Sequence, residues 1–216
     1  MKDFDQYTSE NNLFELVRQG EHENQDFKHR IPSALKIART LSAFSNTTGG
    51  RLLVGVRDNG SIAGVKDEDD IYLLESAAEL FMKPTVDLRI FAHQQDGKTV
   101  WEVVVPEGKD KPYAVLEKEG PVAYFRDFDE NRVANAVMKE IWRQDRQDHA
   151  PKRITYSDPQ RKLIDYMKTY EWVSVSKSAK IMEMSRVQAI YTLALLVRWE
   201  VVDWKIEEGS YYYGLL

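Results

Sequence analysis

The chain of 216 residues contains no cysteine. This absence excludes disulfide bonds and thiolate metal ligands, and it is compatible with a reducing compartment. No apolar run approaches the roughly 20 residues of a membrane-spanning helix. The first residues, MKDFDQYTSE, also lack the basic and apolar segments of a secretory signal. We therefore expect a cytoplasmic protein that makes no contact with membranes.

The sequence also lacks an excess of positive charge. It has 30 Lys and Arg against 35 Asp and Glu, a net charge of −5, which argues against broad electrostatic attraction to nucleic acid or anionic lipid. Basic residues nevertheless gather between positions 28 and 57 of the acidic first part of the chain. They are Lys28, His29, Arg30, Lys36, Arg39, Arg51 and Arg57. The sequence therefore predicts a local basic patch on an acidic protein.

The most distinctive pattern is ARTLSAFSNTTGGRLLVGVRDNGSIAG, which runs from Ala38 to Gly64. Its apolar positions first repeat at i, i+3, i+4 and i+7, which predicts a helix with one buried face that ends at two glycines. Alternation then predicts a strand, and Asp58-Asn59-Gly60 predicts a tight turn into a second one. The Thr47–Gly50 turn precedes a strand and not a helix, so we interpret its glycines as structural and not as a phosphate-binding loop.

The pattern of elements divides the chain into a domain at 1–143, a polar linker at 144–158 and a domain at 159–216. Helices and hairpin strands alternate in the first domain, which indicates an α+β fold with a mixed sheet. The expected helices are 13–20, 32–46, 68–82 and 130–143, and the expected strands are 25–31, a hairpin over 51–65, 86–92, 99–105 and an extended segment over 113–125.

The second domain has the pattern of a small winged helix-turn-helix. Three amphipathic helices are followed by two short strands, 201–206 and 211–213, which would form the wing. Asp158 ahead of Pro159 is expected to cap the first helix, and Ser185 is expected to cap the third.

Three motifs resemble a known family: Glu21-x4-Asp26-Phe27-Lys28, then SAFSNTTGG with GVRDNG and Gly64, and finally Tyr124-Phe125-Arg126. Residues 21–132 resemble the AlbA-like domain of Schlafen-type and divergent AAA-type proteins. The resemblance implies an AlbA-like mixed-sheet fold and a nucleic-acid-binding role, commonly that of a transcriptional regulator with a C-terminal winged helix. It also implies a second activity, because some members are metal-dependent endoribonucleases.

For the nuclease, the resemblance implies that Glu21, Asp26 and Asp58 bind Mg²⁺ or Mn²⁺ and that Lys28 stabilises developing charge. Carboxylate oxygens suit such cations, and residues 26 and 28 of one strand share a face. The alternative is an exposed Asp26–Lys28 ion pair beside an ordinary turn aspartate. Asp26 stands where the family usually has Glu. The side chain of Asp is shorter by one methylene, so the carboxylate is set back and catalysis is a weaker expectation.

The preferred interpretation is a non-enzymatic nucleic-acid-binding protein without a cofactor, a transcriptional regulator that binds DNA in preference to RNA. Phosphate contacts are expected from Lys28, Arg30, Lys36, Arg39, Arg51 and Arg57. Base contacts are expected from the polar face of the third C-terminal helix, at Arg186, Gln188 and Thr192. Two alternatives stay open: a divalent-metal endonuclease, and a scaffold that binds another protein through the winged helix. A homodimer is compatible with either role.

Overall fold

The computed structural model describes residues 12–65, 69–147 and 155–216. Contacts divide the chain into two compact units with a boundary between Ala134 and Asn135. The first contains α1 (Leu13–Gln19), β1 (Gln25–Lys28), α2 (Ala34–Asn46), β2 (Gly50–Val54), α3 (Asp69–Leu80), β3 (Met82–Lys83), β4 (Arg89–Gln95), β5 (Lys98–Val105), β6 (Ala114–Glu117), β7 (Gly120–Asp127) and β8 (Glu130–Val133). The second contains α4 (Ala136–Gln147), α5 (Asp158–Tyr170), α6 (Val175–Ile181), α7 (Arg186–Arg198), β9 (Val202–Glu207) and β10 (Ser210–Leu215).

The first sheet of unit 1 is mixed, in the order β1-β2-β5-β4. β1 and β2 run parallel, and the other pairs run antiparallel. Because side chains alternate along β2, Leu52 and Val54 pack with α2 and α3 while Leu53 packs with α1 on the opposite face. Because β1 and β2 run parallel, their carboxyl ends lie at the same edge of the sheet.

The second sheet of unit 1 is antiparallel, in the order β3-β6-β7-β8, and α2 packs against β6, β7 and β8. Its last strand, β8, occupies residues for which the sequence predicted the start of a helix at 130. The helix begins six residues later, at Ala136. Residues 130–133 instead pair with β7 in an antiparallel register, with Asp127 opposite Glu130. The predicted helix was wrong at its start because the pairing partner, and not local periodicity, fixes this segment.

The predicted turn at Asp58-Asn59-Gly60 is present, because the N–H of Arg57 donates to the carbonyl of Ser61 at 3.1 Å and Val56 and Ile62 form an antiparallel bridge. The predicted hairpin over 51–65 does not extend beyond this bridge, and β2 pairs with β1 and β5 instead. The extended segment predicted over 113–125 is two strands, β6 and β7, joined at Lys118 and Glu119.

Unit 2 has one apolar core to which α4, α5, α6, α7 and the β9–β10 hairpin all contribute. α4 packs on α7, so it belongs to unit 2, whereas the sequence interpretation had placed residues up to 143 in the first domain. The N-cap of α5 is Ser157, in a capping box with Gln160, and not Asp158. Of the predicted linker, residues 148–154 lie outside the described ranges. No helix within those ranges is long and apolar enough to cross a membrane.

Candidate nucleic-acid interface

Polar side chains of the SAFSNTTGG motif connect α2 to the second sheet. Ser42 and Asn46 lie four residues apart on the buried face of α2. The Ser42 hydroxyl donates to the carbonyl of Tyr113 (2.6 Å) and accepts from the N–H of Tyr124 (3.0 Å). The Asn46 amide donates to the carbonyls of Tyr113 and Tyr124, both at 2.8 Å. These residues are therefore a structural joint, a role that sequence reasoning missed.

The glycine turn after α2 is also structural. Gly49 has φ of +76°, and a Cβ atom there would lie 2.8 Å from the backbone nitrogen of Glu107 and 2.9 Å from the carbonyl oxygen of Val105. Only glycine fits this conformation and this close approach without strain. The neighbouring Thr47 hydroxyl accepts a hydrogen bond from the N–H of Arg126 at 2.9 Å. The turn thus fastens α2 to both sheets.

The acidic motif of the first strand forms a compact charged cluster. The Lys28 ammonium lies 2.7 Å from an Asp26 carboxylate oxygen, and the Asp26 side chain is 8% exposed. Glu21 accepts a hydrogen bond from the N–H of Phe27 at 2.8 Å. Burial raises the pKa of Glu21, as does its hydrogen bond with Asp26, while the Phe27 N–H and Lys28 act in the opposite direction.

Arg126 of β7 closes this cluster from the second sheet. Its guanidinium donates to the carbonyls of His22 (3.0 Å) and Glu23 (3.2 Å) and to the Asn131 side chain (2.9 Å). Its central carbon also lies 5.0 Å from the centroid of the Phe44 ring. Burial lowers the pKa of Arg126, and the charges of Asp26 and nearby carboxylates oppose that effect. The loop that carries Glu21 is thereby held in place by a residue about a hundred positions away.

The structure separates the three carboxylates suggested as metal ligands. Glu21 and Asp26 are together, but Asp58 lies in the exposed turn that follows β2. Within the described ranges no group of three His, Cys, Asp or Glu side chains is placed to hold a metal ion. The Asp26 carboxylate is also already paired with the Lys28 ammonium. The residues present therefore do not fit the Mg²⁺ or Mn²⁺ site that the resemblance implied.

The predicted basic patch is brought together only in part. Lys28 and Arg57 lie at the carboxyl-end edge of β1 and β2, where the N–H of Gly55 donates to the carbonyl of Lys28 at 2.8 Å. Arg30 follows β1 at that edge, and both Arg30 and Arg57 are exposed. Lys36 is exposed on the first turn of α2. We name Lys28, Arg30 and Arg57 the basic edge.

Two of the predicted phosphate contacts lie elsewhere and have acidic partners. Arg51 is the second residue of β2, at the opposite end of the strand, and lies 3.5 Å from the buried Glu102 carboxylate. Arg39 points from α2 to Glu117 of β6, with hydrogen bonds of 3.0 and 3.2 Å. Sequence proximity suggested one patch, but strand direction and helix phase distribute these side chains over different surfaces.

In unit 2, the first two turns of α7 present an exposed mixed surface. Ser185 caps the helix, as the sequence predicted, in a capping box with Gln188. Arg186 and Gln188 are exposed, as are Val187 (76%) and Tyr191 (47%). We name Val187, Gln188 and Tyr191 the α7 strip. Sequence reasoning missed its two large side chains because i, i+4 spacing assigns apolar residues to the core.

Thr192 does not belong to this surface. It is 8% exposed, and its hydroxyl points to the sulfur of Met184 at 3.8 Å. The expectation that Thr192 reads base edges is therefore corrected, since the side chain lies on the core side of α7. Gln188 remains exposed, and its Oε1 accepts from the N–H (3.0 Å) and hydroxyl (2.9 Å) of Ser185. Because these bonds use only the amide oxygen, the N–H donors of this exposed side chain are available to a ligand.

These features define an α+β protein with a mixed sheet of the AlbA-like class. A family model described as Schlafen, AlbA_2 matches residues 21–135. This match spans more than half of the chain, so the chain belongs to that family. The matched region ends at the boundary between the two units.

Solved structures provide a second comparison. The chain is similar to the DIP2311 protein from Corynebacterium diphtheriae, with 19% identity and a TM-score of 0.44, over 68% of this chain and 34% of that one. It is also similar to the N-terminal domain of a RecG-related protein from Nitrosomonas europaea, with 19% identity and a TM-score of 0.41, over 68% of this chain and 96% of that one. This chain thus spans about a third of the DIP2311 protein. No curated protein is significantly similar to it.

Proposed function

We propose that this chain is a nucleic-acid-binding protein that binds duplex DNA and acts as a transcriptional regulator. In this proposal unit 2 is a winged helix, with α7 as the recognition helix and the β9–β10 hairpin as the wing. The observation that carries the proposal is the exposure of the α7 strip. Membership of the AlbA-like family supports the same class of function.

The chemistry of the α7 strip suits the major groove. A glutamine amide can pair with the edge of adenine, and apolar side chains can contact the methyl group of thymine. Val187 is 76% exposed, which is unusual for an aliphatic residue in a helix that otherwise packs into the core. The α7 strip also lies at the start of the helix, the part that contacts bases in helix-turn-helix proteins.

The basic edge of unit 1 offers a further contact. Arg30 and Arg57 would bind phosphates without reading sequence, while the Lys28 ammonium is held by the Asp26 carboxylate at 2.7 Å. Because the chain carries a net charge of −5, affinity without base contacts should be modest and should fall steeply with salt.

A binding titration tests the proposal. Fluorescence anisotropy would be measured with labelled random duplex DNA and with single-stranded RNA at about 50 mM salt, where phosphate contacts are strongest. We expect duplex binding, and Tyr191→Ala should weaken it about fivefold, as expected for a lost base contact. Tyr170→Ala is the matched control, because Tyr170 is an exposed tyrosine (62%) on α5 of the same unit.

Two results would overturn the proposal. The first is a wild-type chain that binds neither polymer at low salt, which would instead favour a scaffold that presents the α7 strip to another protein. The second is an equal loss of affinity in Tyr191→Ala and Tyr170→Ala. The divalent-metal endonuclease is the remaining alternative, and the separation of Asp58 from Glu21 and Asp26 weighs against it.

A further inference from the structure

A cleft of about 210 Å³ lies in unit 2 beside the first turn of α7. Its polar lining includes Asn135, Ser174, Ser176, Arg186, Ser210 and Tyr211. These residues come from four places in the chain: the starts of α4, α6 and α7, and the start of β10. No Asp or Glu contributes to the lining.

Among the residues that the structure describes, Arg186 is the only charged one that lines this cleft. Its guanidinium donates to the Ser176 hydroxyl at 2.8 Å, and within the described ranges it forms no ion pair. By contrast, Arg18, Arg39, Arg143 and Arg161 each contact a carboxylate at 3.1 Å or less. A planar fork of N–H donors without an acidic partner is suited to a tetrahedral oxyanion.

The hydroxyl groups around Arg186 add donors for the same ligand. Ser176 accepts from Arg186, so its own O–H remains to donate to a bound group. Ser174 likewise accepts from the N–H of Lys177 at 3.2 Å. Ser210 adds a third hydroxyl to the lining. One guanidinium and three hydroxyls, with no carboxylate among the lining residues, suit an oxyanion such as phosphate.

We propose that this cleft holds a backbone phosphate of the bound nucleic acid and that the Arg186 guanidinium donates hydrogen bonds to it. The inference rests on the proposed function and adds to it a fixed contact that positions α7. Arg186 immediately precedes the α7 strip, and Ser210 immediately follows the turn between β9 and β10. A phosphate held between them fixes the rotation of α7 about its axis. Arg186 thus positions the helix, while base contacts come from the α7 strip.

The salt dependence of binding distinguishes a phosphate contact from a base contact. A lost phosphate contact weakens binding equally on all sequences and lowers the slope of log K against log salt by about 1. We expect Arg186→Ala to bind about tenfold more weakly on every duplex tested, with that change in slope. Arg161→Ala is the matched control, because Arg161 is an exposed arginine of α5 in the same unit, and it should leave both quantities unchanged.

A second variant keeps the test independent of the first. Ser210→Glu places a carboxylate in the cleft and should weaken binding at least as much as Arg186→Ala, while thermal unfolding confirms that both variants fold. An unchanged slope in Arg186→Ala, or a loss confined to one sequence, would overturn the inference and leave the proposed function standing. A wild-type chain that binds no nucleic acid would overturn both.

Discussion

The side chain of Asn46 pairs with both backbone groups of Tyr113. Its amide donates to the Tyr113 carbonyl at 2.8 Å, and its Oδ1 accepts from the Tyr113 N–H at 2.7 Å. The same amide reaches the carbonyl of Tyr124 at 2.8 Å. A helix residue thus supplies hydrogen bonds to the residue that precedes β6 and to a residue of β7.

We expect Asn46→Ala to lower the free energy of unfolding by about 2–4 kcal/mol, because the N–H of Tyr113 and the carbonyl of Tyr124 lose their hydrogen bonds to this side chain, while the Tyr113 carbonyl keeps the one from Ser42. Urea denaturation would measure the loss. Asn59→Ala serves as the control, since Asn59 is exposed and accepts only a local bond from Ser61, and it should change stability by less than about 1 kcal/mol. Equal effects of the two substitutions would contradict the structural role of Asn46.

Substitutions at Gly49 and Gly97 separate two contributions to the free energy of unfolding. One comes from a steric contact of the added Cβ, and the other comes from a positive φ angle. Both glycines have positive φ, +76° and +73°, but a Cβ at Gly97 meets nothing within 4 Å. Gly97→Ala should cost about 1 kcal/mol for the left-handed conformation alone. Gly49→Ala should cost about 2–5 kcal/mol, because the methyl group also meets backbone atoms. Similar midpoints of urea unfolding for the two variants would refute this reasoning.

Glu117 should contribute stability that depends on pH. The hydrogen bond from the Tyr124 hydroxyl, followed by the interaction with Arg39, holds the pKa of Glu117 below its usual value of 4.5. A depressed pKa means that the contribution is fully present above the unfolded value and disappears as the pH falls through the folded value. Glu117→Gln should therefore destabilise the protein near neutral pH by at most about 1 kcal/mol, since the pair is partly exposed and screened.

The measurement for Glu117 is a series of urea unfolding curves between about pH 7 and about pH 3. The difference between wild type and Glu117→Gln should close toward the acid end. Glu79→Gln, at an exposed glutamate of α3, should show no such trend. A difference that stays constant over the series would mean that the carboxylate charge does not contribute.

Thr192→Val tests the corrected position of this residue. Because the side chain is buried and its hydroxyl has only a long contact of 3.8 Å to Met184, the substitution should change the free energy of unfolding by less than about 1 kcal/mol. It should also leave DNA affinity unchanged, whereas Gln188→Ala weakens binding. A Thr192→Val variant that folds normally but loses sequence preference would restore the original base-reading role.

The separated carboxylates predict that Mg²⁺ and Mn²⁺ do not support cleavage of RNA or DNA by this chain. The physical reason is that the Lys28 ammonium is paired with the Asp26 carboxylate and that, among the described residues, Glu21, Asp26 and Asp58 are not grouped as a set of metal ligands. Gel analysis of labelled substrates with each metal would measure this. Metal-dependent cleavage that disappears in both Asp26→Asn and Asp58→Ala would show that the three carboxylates converge after all.

The sequence predicted elements well where periodicity was strong and local. α2 has a clear buried stripe, and the Ser185 cap was recognised from residue type alone. β8 was missed because its residues, Glu130–Val133, are mostly exposed and are held by register with β7. Pairing between distant segments leaves little local signal, which also explains why β5 was not recognised as the partner of β2.

The candidate site was harder to predict for a related reason. Ser42 and Asn46 interrupt an otherwise apolar face at i, i+4 spacing, and this interruption is the signal that could have identified the joint between α2 and the second sheet. The basic residues of the first domain are close in sequence, but Arg51 and Arg57 lie at opposite ends of β2. Side chains a few residues apart on a strand can therefore belong to different surfaces.

The contacts of Arg126 have a consequence for local unfolding. Its guanidinium holds the carbonyls of His22 and Glu23, and its N–H is held by Thr47. The loop before β1 and the β7–β8 hairpin cannot open separately without leaving a buried guanidinium unpaired. These segments should therefore form one cooperative unit of hydrogen exchange, although they are far apart in the chain.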